Sequence, residues 1–266
     1  MVGQDFLVAE SISLTAKSSG LPAHHQPLHF HEQGCCIRTI REEAERLQAY
    51  RLRYRIFCKG LGWVGDNPQE LDRDEYDDRA VLLGIFQENC STQLVATLRL
   101  LLADGPFMVE REFSALLSPE TCLRKERDTT EITRFAIDPQ VGTERAQRLC
   151  ALLYKAWYQW SLQNDVRYVY LEVETRYWRK LRMIGFPCEP LGPSRRLPPG
   201  EADSVALILD WETFREVNRA KRPDWLAWMS TARSRPAAWP RRPLGRASRL
   251  AAYRGCSTRE TAPSVR

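Results

Sequence analysis

Residues 94–102 read LVATLRLLL, an apolar run of strand length with one arginine inside it. Arg99 must be paired, face a cleft or sit at a strand edge, because burying its charge alone is costly. Residues 80–86, AVLLGIF, form a second apolar run, and QENCSTQ lies between the two in a hairpin pattern. A chain with this pair folds around a sheet that has to accommodate the charge of Arg99.

The other patterns supply further strands and the helices to cover them. Residues 129–137 (TTEITRFAI) read as a third strand, ended by Asp138 and Pro139. Strand alternation puts Glu131 and Thr133 on one face and Arg134 on the other with Ile132. Residues 168–173, 186–191 and 204–209 read as later strands. Helical spacing is found over residues 37–59, where Ile37, Ile40, Ala44, Leu47, Leu52, Ile56 and Phe57 approximate a 3.6-residue repeat. Short helices are expected over 107–117 and 176–184, and an amphipathic helix over 145–162. This order predicts an α/β (α+β) class: a mixed central sheet flanked by helices. The domain is expected over residues 37–215, with a flexible N-terminal extension over 1–36 and a partly disordered basic tail over 216–266.

The ends carry little that reads as chemistry. His24, His25, His29 and His31 precede Cys35 and Cys36, but the spacing matches no standard zinc pattern, so no metal is expected. The eight cysteines include no CxxC pair, and neither an export signal nor an eighteen-residue apolar run is present. Reduced thiols in the cytoplasm, and no membrane span, are the expectation. From residue 220 onward there are eleven basic and two acidic residues, with Trp225, Trp228 and Trp239 among them. A basic segment with interleaved aromatics suits nucleic acid or an anionic membrane. The commoner reading is a solvated tail, and nucleic-acid binding is not expected.

Charge is densest over residues 52–78. Arg53, Arg55 and Lys59 come first, then Trp63, then Asp72, Asp74, Glu75, Asp77 and Asp78. On pattern alone this is a basic helix followed by a solvated acidic loop. The same charges also suit a site for a ligand that is both cationic and anionic.

Arg53, Phe57, Trp63, Asp74, Asp77, Arg99, Phe113, Glu131 and Arg134 follow one another in an order that resembles the acyl-homoserine lactone synthases, the autoinducer synthases of bacterial quorum sensing. The resemblance covers roughly residues 37–192. It implies a GNAT-like acyltransferase fold. It also implies transfer of an acyl chain from acyl carrier protein, or from acyl-CoA, to the amine of S-adenosylmethionine. The lactone then closes and methylthioadenosine leaves. S-adenosylmethionine is a substrate here, and no cofactor is implied.

The resemblance also implies roles. Glu131 is the candidate general base, and Arg99 and Arg134 complete the catalytic set. Arg53, Phe57, Trp63, Asp74, Asp77 and Phe113 are the substrate-binding candidates: guanidinium groups suit a carboxylate, and ring faces suit a sulfonium. Phe113, Trp157, Leu171 and Val173 are expected to wall an acyl slot. Many family members carry threonines where this chain has Leu171 and Val173, which weakens the case for a 3-oxo acyl group. An acidic carrier protein would dock on basic residues, with Arg145, Arg148, Lys155, Arg179, Lys180 and Arg182 as candidates. The loop before the long helix holds only Gly142, so a glycine-rich CoA-phosphate cradle is not strongly indicated. The alternative is an N-acyl amino acid synthase of the same fold that forms no lactone.

Overall fold

In the computed structural model, which describes residues 25–87, 90–200 and 202–231, the two apolar runs pair antiparallel as β3 (Val81–Gln87) and β4 (Cys90–Leu102). They sit inside one sheet. Before them come β1 (His29–Glu32) and β2 (Cys35–Thr39); after them come β5 (Thr129–Ile137) and β6 (Tyr168–Glu174). The short β7 (Glu189–Pro190) and β8 (Arg195–Arg196) both pair with β9 (Asp203–Asp210). The order is β1-β2-β3-β4-β5-β6-β9-β7. All pairings are antiparallel except β5 with β6, so the sheet is mixed, as expected.

Helices cover both faces. α3 (Thr143–Gln163) lies on one face, where Leu152, Leu153 and Trp157 join Leu83, Leu98 and Val169 in the largest core cluster. Trp157 stacks on Phe186 and meets Trp211 edge-on at 4.7 Å between ring centroids. α1 (Glu43–Arg53) covers the other face, packing Tyr50 and Leu52 against Leu82 and Phe86. A third cluster holds Tyr76, Leu101, Phe107, Tyr170 and Ala206 around the short α2 (Met108–Arg111). The chain continues into α4 (Thr175–Ile184), α5 (Trp211–Lys221) and α6 (Pro223–Ser230). Among the described residues, no helix is long and apolar enough to cross a membrane.

The helix expected over 37–59 begins later than the periodicity suggests. Ile37 and Ile40 are three apart and mimic a helical repeat, yet Ile37 pairs across the ladder with Ile85. The strand is buried on both faces because α3 and α1 cover it from opposite sides, with Cys35 and Ile37 in one cluster and Cys36 and Ile40 in another. The expected boundary at residue 37 therefore falls inside β2, and His29–Glu32 is already sheet. The boundary at 216 falls inside α5, and α6 extends the fold to Ser230. Residues 1–24 and 232–266 lie outside the described residues, and so does the disorder expected of them.

Two irregularities shape the middle of the sheet. β5 and β6 pair only from Thr129/Tyr168 to Glu131/Tyr170. Beyond Glu131, β5 continues against β4 alone and β6 against β9 alone, leaving a gap in the ladder. Within β5, Arg134 has φ of 50°, a left-handed conformation that non-glycine residues avoid. Such a conformation persists only where the surroundings enforce it.

Candidate functional site

α1 ends with Arg51 and Arg53 in its last turn, where the helix dipole favours cations. It runs on as a wider π-helical segment, Tyr54–Gly60. This register sends Arg53 inward and places Phe57 under the loop that follows. The loop returns through Asp72 and is closed by a one-turn helix, Glu75–Arg79, whose capping box is built from Asp74 and Asp77. The acidic run is thus solvated only in part: Glu75 and Asp78 are exposed, whereas Asp72 and Asp77 are buried. Two of its carboxylates hold their own backbone in place while facing the arginines.

Three arginines and three aspartates form one network. Arg53 donates to Asp72 Oδ2 at 3.1 Å and forks onto Asp77 at 2.6 and 3.0 Å. Arg99 donates to Thr133 Oγ1 at 2.9 Å, to Asp74, and to Met108 Sδ at 3.2 Å, and pairs with Asp77 Oδ2 at 3.2 Å. Arg134 donates to Asp72 Oδ2 at 2.8 Å and to Asp74 Oδ2 at 3.3 Å. The left-handed backbone at Arg134 breaks the strand alternation. Its side chain therefore reaches the cluster that Thr133 also serves, and not the opposite face that a regular strand would give.

Arg53, Arg99 and Asp77 are fully buried. Arg53 has all three nitrogens engaged by Asp72 and Asp77. The accessible members are Asp74 and Arg134, whose side chains are 25% and 15% exposed. Arg134 also lies over the Phe57 ring at 5.5 Å, and Phe57 stacks on Trp63 at 6.2 Å. Trp63 is 37% exposed and forms the outer wall. Burial alone would raise the pKa of Asp77, but the charges of Arg53 and Arg99 and the fork from Arg53 hold it well below the ordinary carboxylate value. Asp72 is also lowered, with burial again opposed by Arg53 and Arg134.

Glu131 sits where the β5–β6 ladder stops. Its oxygens accept from the backbone N–H of Met108 at 2.6 Å and Val109 at 2.7 Å, so it caps the first turn of α2. Burial pushes its pKa up to about 7, partly offset by those two N–H groups, by a hydrogen bond from Glu172 and by Arg99. Glu172, on β6 across the gap, is raised well above the ordinary value by burial and by the nearby Glu131 charge. The two N–H donors favour charge on Glu131, while Oε1 of Glu172 is buried with no hydrogen-bond partner. These contacts favour the proton on Glu172 and the charge on Glu131.

Sequence reasoning missed two members. Asp72 stood within the acidic run but bonds both Arg53 and Arg134. Glu172 read as part of an apolar strand; its charge between Leu171 and Val173 was the available signal. Phe113 and Trp157 are not brought together. Phe113 packs with the Tyr170 cluster, and Trp157 with Leu171 on the other sheet face, because neighbours on β6 point to opposite sides. The expected four-residue acyl slot is therefore two separate surfaces. Lys155 leaves the docking set: it is buried and pairs with Glu32 at 2.6 Å. Trp225 and Trp228 stack on each other at 5.1 Å within α6, as packed aromatics on a helix.

Comparison with known proteins gives one consistent result. Residues 38–217 match the family model of the autoinducer synthases. An acyl-homoserine-lactone synthase of Rhizobium radiobacter is 30% identical over 176 residues, covering 64% of this chain and 81% of that protein. One from Vibrio anguillarum is 26% identical over 168 residues, covering 62% and 86%. Among solved structures, the AHL synthase LasI aligns with a TM-score of 0.57 at 20% identity, covering 68% of this chain and 90% of its own. BjaI, described as a CoA-dependent acyl-homoserine lactone synthase with MTA, aligns with a TM-score of 0.57 at 23% identity, covering 70% and 92%. The structural likenesses establish a shared fold.

Proposed function

The chain belongs to the autoinducer synthase family, and we propose that it is an acyl-homoserine-lactone synthase, an acyltransferase that makes a quorum-sensing signal. It moves an acyl chain from a thioester to the amine of S-adenosylmethionine, then closes the lactone with release of methylthioadenosine. The observation that carries this reading is the Arg53–Asp72–Asp77–Arg99–Asp74–Arg134 network, open to solvent at Asp74 and Arg134 beside Trp63. An ammonium, a sulfonium and a carboxylate find counterparts there in Asp74, the Trp63 ring face and Arg134. Arg53, Asp72 and Asp77 fix the positions of these groups from below.

The first step is attack of the neutral amine on the thioester carbonyl. The C–N bond forms, the C–S bond breaks, the thiolate leaves, and the amine proton passes to Glu131 directly or through water. Glu131 is suited to this because its carboxylate is held by two N–H groups yet titrates near neutrality. In the second step the methionyl carboxylate attacks its own γ-carbon and the sulfonium leaves as a neutral thioether. That step is intramolecular, so Arg134 contributes by holding the folded conformer. The acyl chain runs along the half-buried Phe113 and its neighbours Leu117 and Leu123, on the sheet face shared with Glu131's partners Met108 and Val109.

The donor is an acyl thioester of acyl carrier protein or of CoA. Exposed Arg148, Arg179 and Arg182, with half-buried Arg145 and Lys180, are the docking candidates that remain on the surface. Mass spectrometry of products decides the reading. Purified protein supplied with S-adenosylmethionine and a panel of both thioester classes is expected to yield methylthioadenosine and an acyl-homoserine lactone in equal amounts. Acyl transfer to a free amino acid without methylthioadenosine would replace this reading with the N-acyl amino acid synthase.

Trp63→Ala is expected to raise KM for S-adenosylmethionine by about 2- to 30-fold, the span of a cation–π contact worth about 0.5–2 kcal/mol. The value of kcat should stay within about threefold, since the ring holds ground state and transition state alike. An unchanged KM would remove Trp63 from the binding site.

A further inference from the structure

We propose that the β1–β2 hairpin carries a site for a borderline divalent transition ion, of which zinc is the reference, with His29, His31 and Cys36 as its protein ligands. The three come together through sheet register. His29 and His31 are two apart on β1 and share a face, and His31 lies directly opposite Cys36 on β2. One ligand atom from each residue lies within 4.8 Å of the others. The imidazole rings meet at 5.1 Å between centroids. Two imidazoles and a thiolate form a set that suits zinc and its neighbours and does not suit calcium or magnesium.

One pair already stands in hydrogen-bond contact at a spacing that a bound ion would also set. His29 Nε2 and Cys36 Sγ are 3.5 Å apart. Tetrahedral bonds of about 2.3 Å to sulfur and about 2.0–2.1 Å to nitrogen place two such ligand atoms about 3.5–3.6 Å from each other. That edge of the tetrahedron is already formed. Cys36 is buried, whereas His29 and His31 are exposed, so the ion would enter from solvent and rest against a fixed sulfur. The nearby cation, Arg38, is held by Glu45 through a fork of 2.6 and 2.5 Å, which offsets its charge at the site. Three protein ligands leave the fourth position to water.

The site shares no ligand with the acyltransferase network, and its test does not depend on that network. Full-length protein, stripped with chelator under reducing conditions, is titrated with cobalt(II) and followed by absorption. One equivalent is expected to bind with a sulfur-to-cobalt charge-transfer band, and zinc should displace it. Cys36→Ser should abolish the band, and His29→Ala or His31→Ala should weaken binding more than tenfold. Cys58→Ser and the double variant His24→Ala/His25→Ala should leave the titration unchanged, which excludes another buried thiol and the imidazoles nearest in sequence. Thermal unfolding in chelator checks that each variant remains folded, and zinc should raise the melting temperature of the wild type and of the two control variants but not of Cys36→Ser. Absence of the charge-transfer band in folded wild type, or its persistence in Cys36→Ser, would overturn the proposal.

Discussion

Asp77→Ala is expected to destabilise the protein by about 3–5 kcal/mol, the cost of leaving a buried charge without its partner. Asp77 takes a two-pronged bond from Arg53, a contact from Arg99 and the backbone N–H of Asp74. Its removal leaves two nitrogens of the fully buried Arg53 without an acceptor, with Asp72 as its one remaining carboxylate, and opens the capping box as well. For a domain of this size that corresponds to a fall in melting temperature of roughly 6–20 °C. Asp77→Asn keeps the shape and one acceptor and should cost less. The pH dependence has a defined sign. Because Asp77 and Asp72 are held below the free value of 3.8, their contribution is complete above that pH and is lost as acid protonates them. The gap between wild type and Asp77→Ala should therefore narrow as the pH falls below about 4. A loss smaller than about 1 kcal/mol at neutral pH would mean that Arg53 finds another counter-ion.

Glu131→Gln is the second large effect, and it falls on rate. Removing a positioned base is expected to lower kcat by about 10²–10⁴-fold, read as methylthioadenosine release. Glutamine offers one acceptor oxygen where Glu131 supplies two, so one of the Met108 and Val109 N–H groups loses its partner, at about 1–3 kcal/mol in stability. The two losses are separable, since a folded variant with unchanged substrate protection and no turnover assigns Glu131 to chemistry. The wild-type profile of kcat/KM should fall on the acid side with a midpoint near 7, where Glu131 takes up its proton. That limb should vanish in the residual activity of Glu131→Gln. Full activity in the variant would give the proton to another acceptor.

The residues that sequence reading located best are those whose role is local. β5 occupies residues 129–137 as read, because a β-branched, alternating stretch stopped by Asp138 and Pro139 marks its end. The charges of the site were legible for a similar reason: Arg99 in an apolar strand and five acids in one loop both demand a partner. What those partners were was not legible. Arg134 reaches the cluster only through its left-handed backbone, and Asp72 becomes central only once β5 lies beside the loop. The hairpin of β1 and β2 was hidden because Ile37 and Ile40 carry a helical spacing by accident, while strand pairing with β3 outweighs local periodicity. Sequence spacing does not tell which face of β6 Phe113 and Trp157 meet, so the single slot expected of them divides in two.

Glu32 on β1 is bound by Lys155 of α3 on one oxygen and by Trp228 of α6 on the other, at 2.6 and 2.7 Å. The contact between Glu32 and Trp228 spans 196 positions of sequence. Order of synthesis follows from this. While the chain is growing, the first strand can pair with its neighbours, but its buried carboxylate stays short of one donor until the last described helix has been made. Contacts of such span are slow to close. A product that stops after β9 would hold the whole catalytic network and still leave this carboxylate with one donor fewer, so the finished enzyme is distinguished from its own truncations at the edge strand and not at the active site.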